Sequence, residues 1–401
     1  MLILMLMVFE NIWKQNRMGL RWNVGERFYV LRILNGSMTG HWIFRMKTSL
    51  LTVFMSVALR RDRVPGLNIR ELLQGSLRKF LIFRSLELTR FNVCLFTSLR
   101  IGSALPPITG GYGEAYCFAP KKRYAKGNPV RELKEMVYSC HKAGIEVVLH
   151  LPFFDEMPKQ KMIECLRYYR QEYHVDGFIV NPYTVPLEVI QSDDYLKHMK
   201  LIVKNEDFQN VMRRFLKGDE GMVESVIWHL KHLSQNDYQY HTITDHTGFT
   251  LNDLVSYDGK HNERNGENNH DGPDYNYSWN CGAEGPTRKK GILRLREQQM
   301  RNAFFLLLMA QGTPCILAGD EFANSQNGNN NVYCQDNETA GWTGRRAAKE
   351  QWLTDYVRKL FSLERRIRLF IHPQSARGSI LHVAECRISL TTEKMHGRFQ
   401  M

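Results

Sequence analysis

Residues 127–151 read GNPVRELKEMVYSCHKAGIEVVLHL, which predicts an amphipathic helix followed directly by an apolar strand. Apolar residues recur at helical spacing in its first half, namely Val130, Leu133, Met136 and Val137. Gly144 marks the end of the helix. The same order recurs in KMIECLRYYRQEYHVDGFIV at residues 161–180 and in REQQMRNAFFLLLMAQGTPCILAG at residues 296–319. Helices that alternate with short apolar strands predict a parallel sheet and an α/β fold.

A second feature is the density of Asn, Gly, His and aromatic residues in two later stretches. Residues 245–287 read DHTGFTLNDLVSYDGKHNERNGENNHDGPDYNYSWNCGAEGPT, and residues 311–338 read QGTPCILAGDEFANSQNGNNNVYCQDNE. Asn and Glu side chains can bridge vicinal hydroxyl groups, and Tyr and Trp rings offer flat apolar faces to a sugar. This composition favours a polyhydroxylated ligand. The alternative is a turn-rich loop in which Asn and Gly supply positive backbone dihedrals.

These motifs resemble the glycogen-debranching and isoamylase-type enzymes of the α-amylase superfamily of glycoside hydrolases. The resemblance also includes GGYGEAYCFAPKKRYA around Tyr112, VDGF at Val175 and MRRFLKGDEGM from Met212, and it covers residue 111 to about residue 368. It implies a (β/α)8 TIM-barrel-type glycoside hydrolase domain with its site at the carboxyl ends of the strands. The barrel is expected to be incomplete at its N-terminal strands, because residues 1–102 do not resemble the family.

The resemblance also identifies where the catalytic carboxylates of the family would lie. In the family, Asp-Gly-Phe-Arg is followed after one residue by the nucleophilic Asp, and here Asn181 occupies that position while Ile179 replaces the Arg. The general-acid position is occupied by Lys204, and Thr247 replaces the third carboxylate after His246. Retaining hydrolysis needs one carboxylate as nucleophile and a second carboxylic acid as proton donor. The chain is therefore predicted to be catalytically inactive, with no catalytic residue of its own.

Two acidic residues lie one position away from family positions. Asp155 follows the predicted strand IEVVLHL at residues 145–151, and Asp245 precedes His246. A shift of one residue along a strand turns a side chain to the opposite face, so neither is expected to replace a lost carboxylate. Asp320 and Glu321 are expected to fix a loop beyond a barrel strand.

Six residues are predicted to contact a glucan, and they are His246, Asn262, Glu263, Asn268, Tyr275 and Trp279. Trp279 and Tyr275 could stack on glucose or pack against the rim of the barrel. The acidic and amide residues of the same stretch lack the ligand spacing of a calcium site. No metal and no cofactor is predicted, and α-glucan, as glycogen or maltodextrin, is the predicted partner.

The composition restricts the function classes. Of the net charge of +13, residues 1–102 carry 16 basic against 5 acidic residues, and the remainder carries 38 against 36. Those basic residues are dispersed and no nucleic-acid motif accompanies them, so nucleic-acid binding is not predicted. The opening MLILMLMVF is too short for a membrane span and lacks the features of a signal peptide. The eight scattered cysteines form no CxxC pair, which favours a reducing, cytoplasmic location.

The two ends of the chain lack periodic elements. Codons that could encode Ile69 to Leu99, read in a shifted phase, can give KGTFAGIVEKIPYFQELGIN followed by a strand-like AVQCMPVYEF, which resembles the family, and the segment from Cys386 behaves in the same way. We therefore divide the chain into a basic segment, 1–102, out of the ancestral frame from about residue 28, a barrel region, 103–368, and a tail, 369–401, out of frame from about residue 380. The alternative is that both ends are diverged.

Four hypotheses for function follow. The first is an inactive relative of a debranching α-1,6-glucosidase, and the second, closely linked to it, is a non-catalytic α-glucan-binding pseudoenzyme. The third is an active hydrolase that uses the displaced acids Asp155 and Asp245. The fourth is a decayed gene product that does not fold, because a barrel without its first strands exposes sheet edges and core.

Overall fold

A computed structural model describes residues 52–55, 90–94, 97–99, 115–122, 125, 127–151, 153, 155–231, 239–310, 312–335, 339 and 350–370. Its nine strands are β1 (Thr52–Met55), β2 (Arg90–Cys94), β3 (Thr97–Leu99), β4 (Ala115–Pro120), β5 (Glu146–His150), β6 (Gly177–Ile179), β7 (Lys200–Lys204), β8 (Gln239–His241) and β9 (Thr313–Leu317). The α-helices are α1 (Pro129–Lys142), α2 (Lys159–Tyr173), α3 (Leu187–Ser192), α4 (Glu206–Lys217), α5 (Val223–Lys231), α6 (Leu251–Leu254), α7 (Lys290–Met309) and α8 (Gln351–Phe370). The predicted alternation of helices and short strands is therefore present from residue 129 onward.

Seven of the described strands form a closed parallel barrel in the order β1-β2-β5-β6-β7-β8-β9. The barrel closes because β1 pairs with β9, with Thr52 opposite Cys315. Side chains from β5 to β9 meet in its interior and form a buried cluster of Val148, Ile179, Ile202, Tyr240, Cys315 and Leu317. Strands β3 and β4 form a separate antiparallel pair. The predicted (β/α) barrel is confirmed, and the described residues supply seven of the eight strands of that fold.

Helix α1 shows how the sequence specifies a helix that packs on the barrel. The Asn128 side chain accepts hydrogen bonds from the amides of Val130 and Arg131 at 3.0 and 3.1 Å, and Pro129 supplies a preset φ at the first position. Leu133, Met136, Val137 and Cys140 are buried along one face. Val130, in the first turn, is 37% exposed, so it does not share this buried face.

The VDGF motif has a structural role at the amino end of β6. The Asp176 carboxylate accepts a hydrogen bond from the Val147 amide at 2.7 Å and lies 2.8 Å from Nε2 of His141, which ties β5, β6 and α1 together. A Cβ atom on Gly177 would lie 2.5 Å from the Lys200 carbonyl oxygen, so only glycine lets β6 and β7 approach this closely. The motif therefore fixes strand packing.

Strands β1, β2 and β3 lie within residues 1–102, where the sequence shows no strand pattern. Most of that segment, and the tail after residue 370, lie outside the described residues. The domain boundaries and the two out-of-frame segments therefore stay predictions.

Candidate functional site

The candidate site lies at the carboxyl ends of β5 to β8, where a barrel of this type brings the loops after its strands together. We use the name strand-end cluster for His150, Lys204, Asp245, His246 and Thr247. His150 and Lys204 are the last residues of their strands, and helix α4 begins only two residues after Lys204. The other three follow β8 in a loop. Lys204 contacts Asp245, and the ring of His150 meets that of His246.

Asn181, which occupies the nucleophile position, forms a turn. Its side-chain oxygen accepts a hydrogen bond from the Tyr183 amide at 3.0 Å, and its carbonyl oxygen accepts hydrogen bonds from Thr184 and Val185 at 3.2 and 3.1 Å. A neutral amide has no ionised oxygen with which to attack an anomeric carbon. This residue shapes the loop after β6.

Lys204 and Asp245 form an ion pair at the centre of the strand-end cluster. Lys204 Nζ lies 2.6 Å from Asp245 Oδ2, and the two side chains are 23% and 5% exposed. Asp245 was expected to point away from the site, and that expectation is wrong. Strand β8 ends at His241, so Asp245 lies in a loop and the two-residue alternation of a strand does not apply to it.

Thr247 supplies further hydrogen bonds to the Asp245 carboxylate. Its amide and its hydroxyl group both donate to Asp245 Oδ1, at 3.0 and 2.8 Å. Burial alone would raise the pKa of Asp245, but the nearby charges of Lys204, His246 and Arg213 outweigh it and hold that pKa below its usual range. Asp245 is therefore an ionised acceptor with three donors, and it carries no proton to give to a leaving group.

Two histidine rings border the ion pair. The rings of His150 and His246 meet edge to face, with their centroids 5.4 Å apart. Burial, together with a smaller effect of His246, lowers the pKa of His150 to about 3, while Asp245 opposes the shift. His150 is therefore neutral at pH 7. Its Nδ1 atom is buried and has no hydrogen-bond partner among the described residues.

The other two acids weighed as substitutes have different surroundings. Asp155 is exposed, and one of its carboxylate oxygens accepts a hydrogen bond from the Thr184 hydroxyl group at 2.8 Å. Asp320 is 2% exposed and accepts hydrogen bonds from the Thr244 hydroxyl group and, at 2.9 Å, from the Leu251 amide. Burial raises the pKa of Asp320 to about 7 against the effect of these two donors. Asp320 therefore joins β9 to the loop after β8, in agreement with the structural role expected for it.

The six predicted ligand residues divide by exposure. Glu263 and Asn268 are exposed, Tyr275 is 88% exposed, and His246 and Trp279 are half-buried. Asn262 is fully buried. Its side-chain amide donates to the Asn330 side chain and to the Asp271 carbonyl oxygen, both at 2.8 Å, and its side-chain oxygen accepts from the Asn330 amide at 3.0 Å. Its polar atoms are used inside the protein, so the structure gives this residue a bridging role instead of a ligand contact.

Asn262 belongs to a larger set of amides that bond to one another, which we call the amide network: Asn262, Asn265, Asn269, Asn276, Asn329, Asn330 and Asn331. It joins the loop that precedes α7 to the loop that follows β9. The Asp271 carboxylate accepts from Asn265 and Asn331 at 2.7 and 2.9 Å. The turn-rich alternative for this stretch thus accounts for many of its Asn residues.

Sequence reasoning missed the buried groups that hold these loops. Asp253 is fully buried and accepts hydrogen bonds from the Ser325 hydroxyl group at 2.5 Å and from the Gln326 amide at 2.6 Å. Arg296 donates to the carbonyl oxygens of Gly285 and Asn280 at 2.8 and 3.0 Å. Buried charges require such partners. The sequence signal that could have identified these groups is a charged residue within an apolar run, such as Asp253 in TLNDLVSY.

Two other kinds of feature, a metal centre and a membrane span, are absent from the described residues. No group of three or more His, Cys, Asp or Glu side chains in that part of the chain is arranged to hold a metal ion. No helix within it is long and apolar enough to cross a membrane.

Comparison with known proteins identifies relatives of one kind. The chain is 32% identical over 352 residues to the glycogen operon protein GlgX homolog of Mycobacterium bovis, an alignment that covers 65% of this chain and 49% of the relative. It is 33% identical over 325 residues to the chloroplastic isoamylase 3 of Oryza sativa subsp. japonica, covering 57% of this chain and 41% of the relative. The chain thus spans about half the length of these curated relatives. No family model matches the chain.

Solved structures with the same fold are pullulanases. The enzyme from Paenibacillus barengoltzii in complex with maltohexaose and α-cyclodextrin matches with a TM-score of 0.60 and 14% identity, over 80% of this chain and 64% of that one. The type I enzyme from Bacillus subtilis in complex with maltose matches with a TM-score of 0.61 and 16% identity, over 84% and 59%. At these identities the likeness shows the fold. The curated relatives show that this chain is related to the glycogen-debranching and isoamylase-type proteins of the α-amylase superfamily.

Proposed function

We propose that this protein binds α-glucan at the carboxyl rim of its barrel without hydrolysing it. The observation that carries the proposal is the ion pair between Lys204 and Asp245. It occupies the centre of the strand-end cluster, where the resemblance requires a proton-donating acid. The nucleophile position, Asn181, holds a neutral amide that forms a turn.

The geometry disfavours the active hydrolase with displaced acids. A nucleophilic carboxylate needs an unblocked oxygen, whereas Asp245 has one oxygen against an ammonium group and the other against two donors from Thr247. The low pKa of Asp245, which the nearby positive charges maintain against burial, also excludes it as a general acid at neutral pH. Asp155 is exposed and bonded to Thr184, so it lacks the apolar surroundings that raise the pKa of a catalytic acid.

Support for glucan as the ligand comes from the relatives and from the rim. The matching pullulanase structures hold maltohexaose and maltose, and the curated relative of Mycobacterium bovis is named for the glycogen operon. In this chain, Tyr275 presents an aromatic ring that is 88% exposed, in the loop between β8 and α7. An exposed ring on a loop held by buried hydrogen bonds suits stacking on a sugar. A cytoplasmic location stays a prediction.

The first test measures binding and cleavage with the same full-length protein. Affinity electrophoresis through gels containing glycogen should show retardation, and Tyr275→Ala should weaken it by about fivefold, since an aromatic contact contributes about 1 kcal/mol. Tyr138→Ala is the matched control, because Tyr138 is 57% exposed on the outer helix α1. Release of reducing ends from glycogen should not exceed a buffer blank.

Each alternative predicts a different outcome of this test. Release of reducing ends that is lost on Asp245→Asn would establish the hydrolase with displaced acids. Absence of retardation in a folded, soluble protein would reject glucan binding. An insoluble chain that lacks a cooperative unfolding transition would indicate the decayed gene product.

A further inference from the structure

We infer that Tyr183 is a second glucan-binding residue, and that the turn formed by Asn181 presents its ring as a stacking surface beside the former catalytic centre. This inference rests on the proposed function and extends it to a named contact. Tyr183 follows Asn181 by two residues. Its Cα atom therefore lies within about 8 Å of the Cα atom in the nucleophile position.

The exposure of Tyr183 is unusual. Its ring is 97% exposed, and Tyr275 is 88% exposed, whereas the other exposed large apolar side chains in the described ranges are exposed by 58% or less. Tyr183 lies four residues after the end of β6, whereas Tyr275 lies in the longer segment between α6 and α7. A ring with this exposure buries almost no apolar area on folding, so packing does not explain its presence. A tyrosine ring that is not packed against the protein is free to stack on a sugar ring.

The backbone beneath Tyr183 is rigid. Its amide donates to the Asn181 side chain at 3.0 Å, and the Thr184 hydroxyl group donates to Asp155 at 2.8 Å, which joins the loops that follow β5 and β6. Pro182 lies within the turn, and Val185, which is 3% exposed, anchors its end in the core. A preorganised loop loses little conformational entropy when it binds, so the stacking energy is retained as affinity.

In this arrangement, the neutral side chain of Asn181 has a structural role, because it forms the turn that carries Tyr183. The side-chain oxygen of Asn181 accepts a hydrogen bond within the turn, and an Asp carboxylate could do the same. The turn can therefore form whether or not this residue is charged. The carboxylate of Asp155, which accepts a hydrogen bond from the neutral Thr184 hydroxyl group, is a charge that contacts this turn. A neutral, hydroxyl-rich ligand fits such surroundings better than a charged one. The occupant is therefore a glucose ring of an α-glucan chain.

The test is calorimetric titration of the full-length protein with maltohexaose. Tyr183→Ala should raise the dissociation constant by about tenfold, because it removes the aromatic face on which a sugar would stack. Tyr183→Phe keeps the face and should stay within about twofold of the unchanged protein, as should Tyr138→Ala on the outer helix. Because Tyr183 is 97% exposed, neither change should alter the unfolding midpoint, and circular dichroism checks this.

The outcomes separate this inference from the proposed function. Equal affinities of the unchanged protein and Tyr183→Ala would overturn the inference and leave glucan binding intact. Absence of any heat with maltohexaose in the folded protein would reject glucan binding itself, and the inference with it. Sedimentation velocity could instead show that the unchanged protein is a dimer and that Tyr183→Ala is a monomer with unchanged affinity for maltohexaose. In that case Tyr183 contacts a second copy of the chain, and the inference is wrong.

Discussion

The amide network and the strand-end cluster are both polar and both partly buried, but they are built from opposite kinds of interaction. In the amide network, neutral groups bond to one another: the Asn262 side chain donates to the Asn330 side chain at 2.8 Å and accepts from the Asn330 backbone amide at 3.0 Å. In the strand-end cluster, a full positive charge on Lys204 meets a full negative charge on Asp245. The hydrogen bonds between Asn residues need no ionisation and depend little on pH and salt. The ion pair depends on both.

This difference shows that the loops at the barrel mouth are held apart from the positions where the resemblance places the catalytic carboxylates. The amide network holds the loops around the barrel mouth without using any of the positions where the resemblance requires a carboxylate. Replacement of those positions by Asn181, Lys204 and Thr247 therefore leaves the loop scaffold intact. The Asn-rich motif that resembles the family therefore indicates how the loops are built, and it does not indicate whether the protein cleaves a substrate.

The largest expected effect comes from breaking the amide network at its centre. Asn262→Ala should lower the free energy of unfolding by about 4 kcal/mol, because it leaves buried groups of Asn330 and Asp271 without partners at about 1–3 kcal/mol each. The measurement is urea unfolding at pH 7. Glu263→Ala, at the next position and 62% exposed, is the matched control and should change stability little. Equal effects of the two variants would mean that Asn262 faces solvent and is available to a ligand.

Asn262 also shows what sequence reasoning can and cannot reach. The pairs α1–β5, α2–β6 and α7–β9 are predictable, because each follows from apolar periodicity within about 25 residues. Whether an amide faces a ligand or another amide depends on distant partners, and Asn330 lies 68 residues away from Asn262. The contact of Lys204 with Asp245 depends in the same way on where β8 ends. Strands β1 to β3 were not predicted, since residues 1–102 carry no period that indicates them.

The second prediction concerns Asp320, which joins β9 to the loop after β8. Burial raises its pKa to about 7, so the folded state keeps a proton that the unfolded state loses near pH 4. A raised carboxyl pKa contributes stability at low pH that is lost as the pH rises toward 7. Between pH 4.5 and 7.5, the protein should therefore lose about 3 kcal/mol relative to Asp320→Asn, at about 1.4 kcal/mol per pKa unit.

The difference between the two proteins isolates Asp320 from other titrating groups. His150 acts with the opposite sign, because its lowered pKa removes stability as the pH falls, but it is present in both proteins. Urea unfolding at the two pH values supplies the measurement, and Asp194→Asn, at a residue 86% exposed, is the control that should show no such dependence. A stability difference that does not vary with pH would show that Asp320 is ionised throughout.

The smallest of the three effects comes from the strand-end cluster. Lys204→Met removes the ammonium group and leaves the carboxylate of Asp245 buried with only the two donors of Thr247. We expect a loss of about 2 kcal/mol at pH 7, below the usual cost of breaking a buried pair, because Lys204 is 23% exposed and water can enter. Lys197→Met breaks an exposed pair with Asp194 and should cause no measurable change.

The pH and salt dependence of this variant decides whether charge is what holds the cluster. A carboxyl group whose pKa is depressed adds stability above its unfolded pKa, near 4, and that stability is lost as the pH falls. Lys204→Met should therefore cost less at pH 3 than at pH 7, and less with Asp245→Asn also present. A cost that is constant with pH and unchanged by Asp245→Asn would instead reflect lost packing of the lysine stem. In that case the two regions would not differ in the way that their geometry indicates, and the ion pair would no longer explain why Asp245 is blocked.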